Sequence, residues 1–533
     1  MPASVIIPAY RAAASVAQTV GAAKSIPGVS EVIVVDDGSR DGTAEAAGRA
    51  GADLVIALPG NVGKGGALMA GIEVAHSDLL LFLDADLGAS ASHAGPLLDA
   101  ARQQGSMAIA VFPSRSSAGG FGLARGLAHA AIRLLGGLTV AAPLSGQRAL
   151  PARLVKHIGL ASRFGAETGL TVEAAHLSFP IRELALSLEH EPTGRTFAGL
   201  WHRGRQCRDI LWFTLLVGYG LGWPALPAAQ RAARMASWAF ALALVLLCGA
   251  FLSPSCLAVL AVVAACGTLA WLPLLWVGAV WLNLRKANYL GRSLPAGAGL
   301  VLPLVALPAL ALLPAAVQHR GAAAVVIGTL GAVGLLDDLF AARRQARGLR
   351  GHLRSLRRGR LTTGAVKALG GLAAGLLAGA LLSPGQPAVA LLDALLIALT
   401  ANSINLLDLR PSRALKGFGL ICVLAIGLSP GAFPLLGPLL VLAVVAAPAE
   451  FAGRVMLGDV GSNVLGGAAG LGLAIALPSW GRLVAVALLA LVHLVCERWS
   501  LSDVISRSRV LRAFDEVGTA HLPPLPPAAE TGP

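Results

Sequence analysis

Short β-branched runs alternate with polar, helix-spaced stretches as far as about Gln230, and beyond it long apolar runs follow one another. Val5-Ile6-Ile7-Pro8 and Val32-Ile33-Val34-Val35 flank a helical stretch at 11–24, and Leu79-Leu80-Leu81-Phe82-Leu83 reads as a third strand. Strands separated by helices predict an α/β domain with a parallel sheet over residues 1–230. The second half predicts an all-α polytopic membrane domain over 236–500. Its ten spans fall near 236–253, 256–282, 297–315, 322–339, 364–383, 388–405, 417–430, 432–448, 463–477 and 482–499. A tail, 501–533, ends in a Pro-rich stretch from Leu522 that is expected to be disordered.

Charge orients this arrangement. The run 322–336 ends in Asp337-Asp338 and meets a loop carrying Arg343, Arg344, Arg347, Arg350, Arg354, Arg357, Arg358 and Arg360. Cations collect in cytoplasmic loops, so the two carboxylates are expected at the cytoplasmic surface. The N-terminus has no basic region or long apolar core of a signal peptide, which predicts a cytoplasmic first domain. Even-numbered spans then end in the cytoplasm, and they do end at Arg285-Lys286, Arg343-Arg344, Arg410 through Lys416, Arg454 and Arg498 through Arg512. The expected location is a bacterial-type cytoplasmic (inner) membrane, with the N-terminal domain and C-terminus both inside.

Composition agrees, at 56% hydrophobic and 13% charged. The net charge of +14 lies beside apolar spans and forms no groove with interleaved aromatics, so no nucleic-acid partner is expected. Six cysteines have no metal spacing, and neither disulfides nor zinc are expected.

In parallel sheets ligands sit at the strand carboxyl ends. Here those ends read Ala9-Tyr10-Arg11, Asp36-Asp37-Gly38-Ser39 and Asp84-Ala85-Asp86. A turn can swing Asp84 and Asp86 onto one divalent cation, although Asp and Gly after a strand equally suit a plain turn. Gly60-Asn61-Val62-Gly63-Lys64-Gly65 lacks the Ser or Thr of a P-loop, and no GxGxxG opens the first helix, which excludes both nucleotide motifs.

Ile7-Pro8-Ala9-Tyr10, Val35-Asp36-Asp37-Gly38-Ser39, Asn61-Val62-Gly63-Lys64-Gly65 and Asp84-Ala85-Asp86, in that order, resemble the family 2 glycosyltransferases. The likeness is strongest to their dolichyl-phosphate mannose synthase and polyprenyl-phosphate glycosyltransferase branch. It implies a GT-A (Rossmann-like) fold, with Pro8, Tyr10, Asp36, Asp37 and Lys64 near a nucleotide sugar, and Asp84 and Asp86 near a diphosphate bound to Mg²⁺ or Mn²⁺. Ser145-Gly146-Gln147-Arg148 resembles the acceptor-side motif, placing Gln147 and Arg148 at the site. His190 is a third metal ligand, closes on the donor phosphates with Arg195, or is simply structural. A lipid phosphate acceptor is already ionised and needs no base; a sugar hydroxyl would, and Glu167 is then the candidate, its alternative being a surface helix carboxylate. Basic residues 202–208 before Ile210-Leu211-Trp212-Phe213 suggest an interfacial helix near 208–223.

A second resemblance covers about 256–500. Leu335-Leu336-Asp337-Asp338, Asn402-Ser403-Ile404-Asn405-Leu406-Leu407-Asp408 and Met456-Leu457-Gly458-Asp459 resemble the polyprenyl-phosphate N-acetylhexosamine-1-phosphate transferases, glycosyltransferase family 4. Carried over, Asp337 and Asp338 sit at the lipid phosphate and metal, Asp459 is a metal ligand, and Asn402, Asn405 and Asp408 line the nucleotide site. Arg350, His352 and Lys367 would offset phosphate repulsion. Taken singly, each such Asp or Asn equally suits a helix cap. The family's Asp-Gly-Leu-Asp-Gly continuation is replaced by Asp408-Leu-Arg410-Pro-Ser-Arg413, and its late histidine cluster is missing.

Three readings follow. One is a bifunctional enzyme of lipid-linked glycan synthesis using nucleotide sugars and undecaprenyl phosphate. Another keeps only the soluble half catalytic, with the membrane half a lipid-binding anchor. The last, a transporter or flippase with a regulatory head, needs ionisable residues deep in the spans, and only Asp393 qualifies. A homodimer through the membrane domain completes the expected partners.

Overall fold

The computed structural model describes residues 2–112, 122–158, 160, 165–189, 197–219, 253–288, 293–340, 363–496, 499 and 501–517. The expected roles of His190, Arg195, Arg350 and His352, and the first drawn span, lie outside them. The chain divides into two compact units, Met1–Val217 with Gly222–Ala225 and Leu522–Pro533, and Gly218–Leu221 with Leu226–His521.

The first unit runs β1 (Ala3–Ala9), α1 (Val16–Lys24), β2 (Val29–Asp36), α2 (Thr43–Arg49), β3 (Leu54–Ala57), α3 (Lys64–Val74), β4 (Leu79–Phe82), α4 (Gly95–Gln104), β5 (Met107–Val111), α5 (Leu123–Ala131), β6 (Arg148–Pro151), α6 (Ala152–Ile158), α7 (Ala166–His176), β7 (Ile181–Ala185) and α8 (Phe197–Gly218). The strands form one sheet in the order β3-β2-β1-β4-β6-β5-β7. β6 is antiparallel to β4 and β5, whereas β1 is parallel to both β2 and β4.

Alternation along β1 builds two cores. Val5 and Ile7 face one side with Val16 and Val20 of α1 and Ala47 of α2. Ile6 faces the other with Ala67, Leu68 and Ile72 of α3. The chain therefore winds on one face of the sheet through α1 and α2 and on the opposite face through α3. That reversal puts the topological switch point between β1 and β4, and open α/β sheets bind their ligands at the strand carboxyl ends of such a point. In α8, Ile210, Phe213 and Val217 are buried at spacings of three and four, while Leu211 and Trp212 are exposed. Ile210 packs on Ala128 and Ala131 of α5.

Among its described residues the second unit is helical apart from one short antiparallel pair, Arg285–Ala287 with Ser293–Pro295. Among the described residues seven helices are long and apolar enough to cross a membrane: Pro254–Trp281, Arg320–Leu339, Ala365–Leu382, Pro387–Leu407, Pro430–Phe451, Gly458–Ala476 and Ser479–Cys496. Gly297–Leu312 and Arg413–Leu428 are shorter helices on two more of the ten drawn runs. Gly458–Ala476 is buried nearly throughout, because its Gly and Ala residues let neighbouring backbones close in. Asp393, singled out in the sequence as an ionisable residue within a span, is fully buried and paired with Arg482 at 2.8 Å and Ser383 at 3.1 Å, a clamp between neighbouring segments of the bundle.

Candidate active sites

In the first unit the site is assembled at the carboxyl ends of β1, β2 and β4. Register sets Pro8 beside Val35 and Ala9 beside Asp36, and the Asp37 amide donates to the Ala9 carbonyl at 2.8 Å, at the foot of the turn that carries Tyr10. Asp36 accepts from the Ser39 amide at 3.0 Å and so shapes its own turn. Asp37 accepts from the amides of Val62 at 2.7 Å and Gly63 at 2.8 Å, fastening the glycine-rich loop that ends at Lys64. Burial raises the Asp37 carboxyl above its ordinary value, opposed by those two amides. Tyr10 is 47% exposed, with the Arg11 guanidinium 5.4 Å above its ring. The ring is thus open at the crevice mouth.

Lys64 opens α3, and its ammonium lies 2.6 Å from Asp84 and 2.8 Å from Glu167. Burial alone lowers a lysine; here the two carboxylates outweigh it, and Lys64 is held well above its usual range. Gln147 Nε2 donates to the other oxygen of Asp84 at 2.7 Å. Gly146 leaves the room for this: a methyl there would run into the Lys64 ammonium and lie 2.8 Å from both Asp84 oxygens. Thr19 Oγ1 donates to the Ala85 carbonyl at 3.0 Å and accepts from the Gly88 amide at 2.9 Å, securing the loop that carries Asp84 and Asp86.

Arg148 stands behind this floor. It is 1% exposed and donates to the carbonyls of Ser145 and Pro143 and to Thr171 Oγ1, which in turn donates to the Glu167 carbonyl. Burial lowers its guanidinium to about 10, partly offset by Glu167 and Glu183. Thus Arg148, buried behind the floor, braces the Gly146-Gln147 loop and α7. Thr171 went unnoticed in the sequence, although its spacing of four from Glu167 puts both on one helix face.

The second unit gathers a separate cluster at one end of its helices. Asp338 accepts from the backbone amides of Asp459 at 3.0 Å and Val460 at 3.1 Å, capping Gly458–Ala476. Gly458, at φ +70°, permits that approach, since a side chain there would meet the Ala296 carbonyl and Asp338. Lys286, on the short β-pair, lies 3.2 Å from Asp459 and 3.5 Å from Asp408. Lys367 lies 3.7 Å from Asp337 and 3.6 Å from Asp459. Asn405 accepts from Ser462 at 2.7 Å, whereas Asn402 is exposed on the same helix. Asp337, Asp338, Asn405, Asp408 and Asp459, distant in sequence, thus belong to one connected cluster. Lys286 entered the sequence reading only as a charge at a span end, and Glu450 was missed. Glu450 is fully buried and accepts from the Ser412 amide at 3.3 Å; an acid at the end of an apolar run gave no periodic signal.

Among the described residues no three His, Cys, Asp or Glu side chains form a metal-holding group. Magnesium characteristically takes one or two carboxylates and completes its shell from substrate phosphates and water, so a pair such as Asp84 and Asp86 remains a suitable donor set.

A crevice at the switch point of such a sheet, lined by two acidic strand ends, a lysine and a glutamine, defines a GT-A-like α/β domain. Residues 4–134, within the first unit, match the model of Glycosyl transferase family 2. Over 93 residues the chain is 42% identical to the undecaprenyl-phosphate 4-deoxy-4-formamido-L-arabinose transferase of Pseudomonas paraeruginosa, covering 16% of this chain and 27% of that protein. Its counterpart in Aeromonas hydrophila is 39% identical over 109 residues, covering 19% and 33%. The chain therefore spans at most about a third of the length of these relatives. Glucosyl-3-phosphoglycerate synthase from Mycobacterium tuberculosis, solved with Mg²⁺ and uridine diphosphate, is 24% identical with a TM-score of 0.36, over 42% of this chain and 82% of that one.

Proposed function

We propose that this chain is a membrane glycosyltransferase of lipid-linked glycan synthesis, whose first unit transfers a sugar from a nucleotide sugar to polyprenyl phosphate. The observation that carries the reading is the Lys64, Asp84, Gln147 and Glu167 constellation at the switch-point crevice of a family 2 domain. The relatives named for undecaprenyl phosphate support the acceptor class.

Donor binding falls to Tyr10 and the turn at Asp36, beside the loop that Asp37 fastens. Lys64 would meet the donor phosphates, and Gln147 holds Asp84 in orientation. Asp84 and Asp86 are the residues that would hold Mg²⁺ or Mn²⁺; both are hard oxygen donors, and Asp84 already faces a cationic group. When bound, that ion offsets the charge on the departing nucleoside diphosphate. Glu167 is committed to Lys64, which suits an acceptor arriving ionised and needing no base.

For the second unit the Asp337, Asp338, Asp408 and Asp459 cluster favours a sugar-1-phosphate transferase reading, in which Asp338 and Asp459 would hold a metal and Lys286 and Lys367 offset phosphate charge. The anchor reading is its alternative. Incubating the purified chain with Mg²⁺ or Mn²⁺, undecaprenyl phosphate and a panel of nucleotide sugars tests both. Diphosphate release reduced about 10²–10³-fold by Asp84→Asn supports the first unit's role. Monophosphate release abolished by Asp459→Asn supports the second; diphosphate alone from every donor leaves the bundle as an anchor.

A further inference from the structure

Lys64 already pairs with the carboxylate that would hold a divalent cation. Its ammonium is 2.6 Å from Asp84 Oδ1, while Gln147 Nε2 occupies Oδ2, so both oxygens of the carboxylate are taken. A divalent ion arriving at Asp84 would therefore meet an ammonium already in place, and like charges at such separations repel by several kcal/mol even at an effective dielectric of about 20. The lysine cannot retreat by moving its backbone. It begins α3, and the two preceding amides are tied to Asp37 at 2.7 and 2.8 Å. Only its side chain can swing, and it has a second partner in Glu167 at 2.8 Å. The floor beneath is Gly146, whose lack of a side chain gives the ammonium room beside Asp84.

We propose that Lys64 is the resting counter-ion of the metal position, exchanged rather than merely joined when donor binds. A nucleoside diphosphate gives the ammonium a new anionic partner, releasing Asp84 to a divalent cation. Cation and diphosphate then bind cooperatively, each raising the affinity for the other by one common factor. The resting site is thereby kept from holding metal without donor. This inference rests on the donor-site reading of the crevice and assigns Lys64 a positioning role within it.

The test is Mn²⁺ binding to the full chain in detergent, followed by electron paramagnetic resonance, with and without a nucleoside diphosphate chosen from UDP and GDP. In the natural protein the diphosphate should tighten Mn²⁺ binding by about tenfold or more, within the usual range of coupling between sites. Lys64→Met should bind Mn²⁺ alone about tenfold more tightly and lose most of that coupling. Lys64→Arg, which keeps the charge, should leave Mn²⁺ alone weak. A gain of affinity cannot come from unfolding, and unchanged gel filtration and Tm would establish that each variant is folded. Weak binding to folded Lys64→Met with the coupling intact would overturn the exchange while leaving the donor site standing. Mn²⁺ binding that Asp84→Asn leaves unaltered in the presence of either diphosphate, or no Mn²⁺ binding at all, would remove the donor-site reading itself and the exchange with it.

Discussion

Gly146 shows how far a single position governs the first site. Nothing in Ser145-Gly146-Gln147-Arg148 reveals that this residue lies beneath the Lys64 ammonium, because the approach comes from a loop some eighty positions away. Gly146→Ala is expected to keep the fold and cut donor turnover by about 10²-fold, the order produced by ~1 Å misplacement of a reacting group. Turnover and Tm measured on the same preparation check it. Asp53 offers a prediction on stability. Burial raises its carboxyl, but the Val32 amide at 2.8 Å and Lys24 at 3.0 Å outweigh that, and the net direction is down from 3.8. A lowered acid contributes stability above its unfolded value, and that contribution is lost as pH falls through the folded value. Stability should therefore fall more steeply with pH below about pH 4 than in a chain without this pair, and Asp53→Asn should flatten that limb of the curve. An identical acid limb in both proteins would refute the assignment.

At the scale of elements, capping joins helices that sequence distance separates. Asp338 ends one helix and caps another 120 residues later through two backbone amides. Asp338→Ala strands both donors in a buried setting and should cost about 1–3 kcal/mol, read as a lower Tm in detergent. The C-terminal helices Leu501–Arg507 and Arg509–Glu516 are fastened in a comparable way. Arg413 donates to both oxygens of Asp515 at 2.6 Å and to Ser502 at 2.9 Å, and Lys416 donates to the carbonyls of Phe514 and Asp515. Asp515→Ala leaves a nearly buried guanidinium without its partner. Trypsin should then cut at Arg507, Arg509 and Arg512 at least about tenfold faster, an opening cheaper by ~1.4 kcal/mol or more. Arg413 and Lys416 belong to the stretch Arg410 through Lys416 that the sequence offered as orientation charge, and these contacts give them a second role in tying down Leu501–Glu516.

For the whole molecule, seven apolar helices predict that alkaline carbonate leaves the chain in the membrane pellet. Ten spans beginning from a cytoplasmic head would place the C-terminus inside as well, and a C-terminal fluorescent reporter that matures only in the cytoplasm should glow. Much of this architecture was legible in one dimension. The β1, β2 and β4 runs, the acidic strand ends and the apolar helices are set by periodicity and by local turn chemistry, which neighbouring residues determine among themselves. Membrane hydropathy is likewise a local sum, so helix positions could be drawn without knowing their neighbours. The cross-connections could not. Asp84 with Lys64 and Glu167, Arg148 withdrawn into a buried brace, Lys286 with Asp408 and Asp459, and Glu450 beneath Ser412 depend on which elements pack together. The sequence alone decided which segments became strands or membrane-length helices and which residue types stand at their ends. Only the tertiary structure decided which charges became partners, because short-range ion pairs and hydrogen bonds act through space and carry no trace in the spacing of residues along the chain.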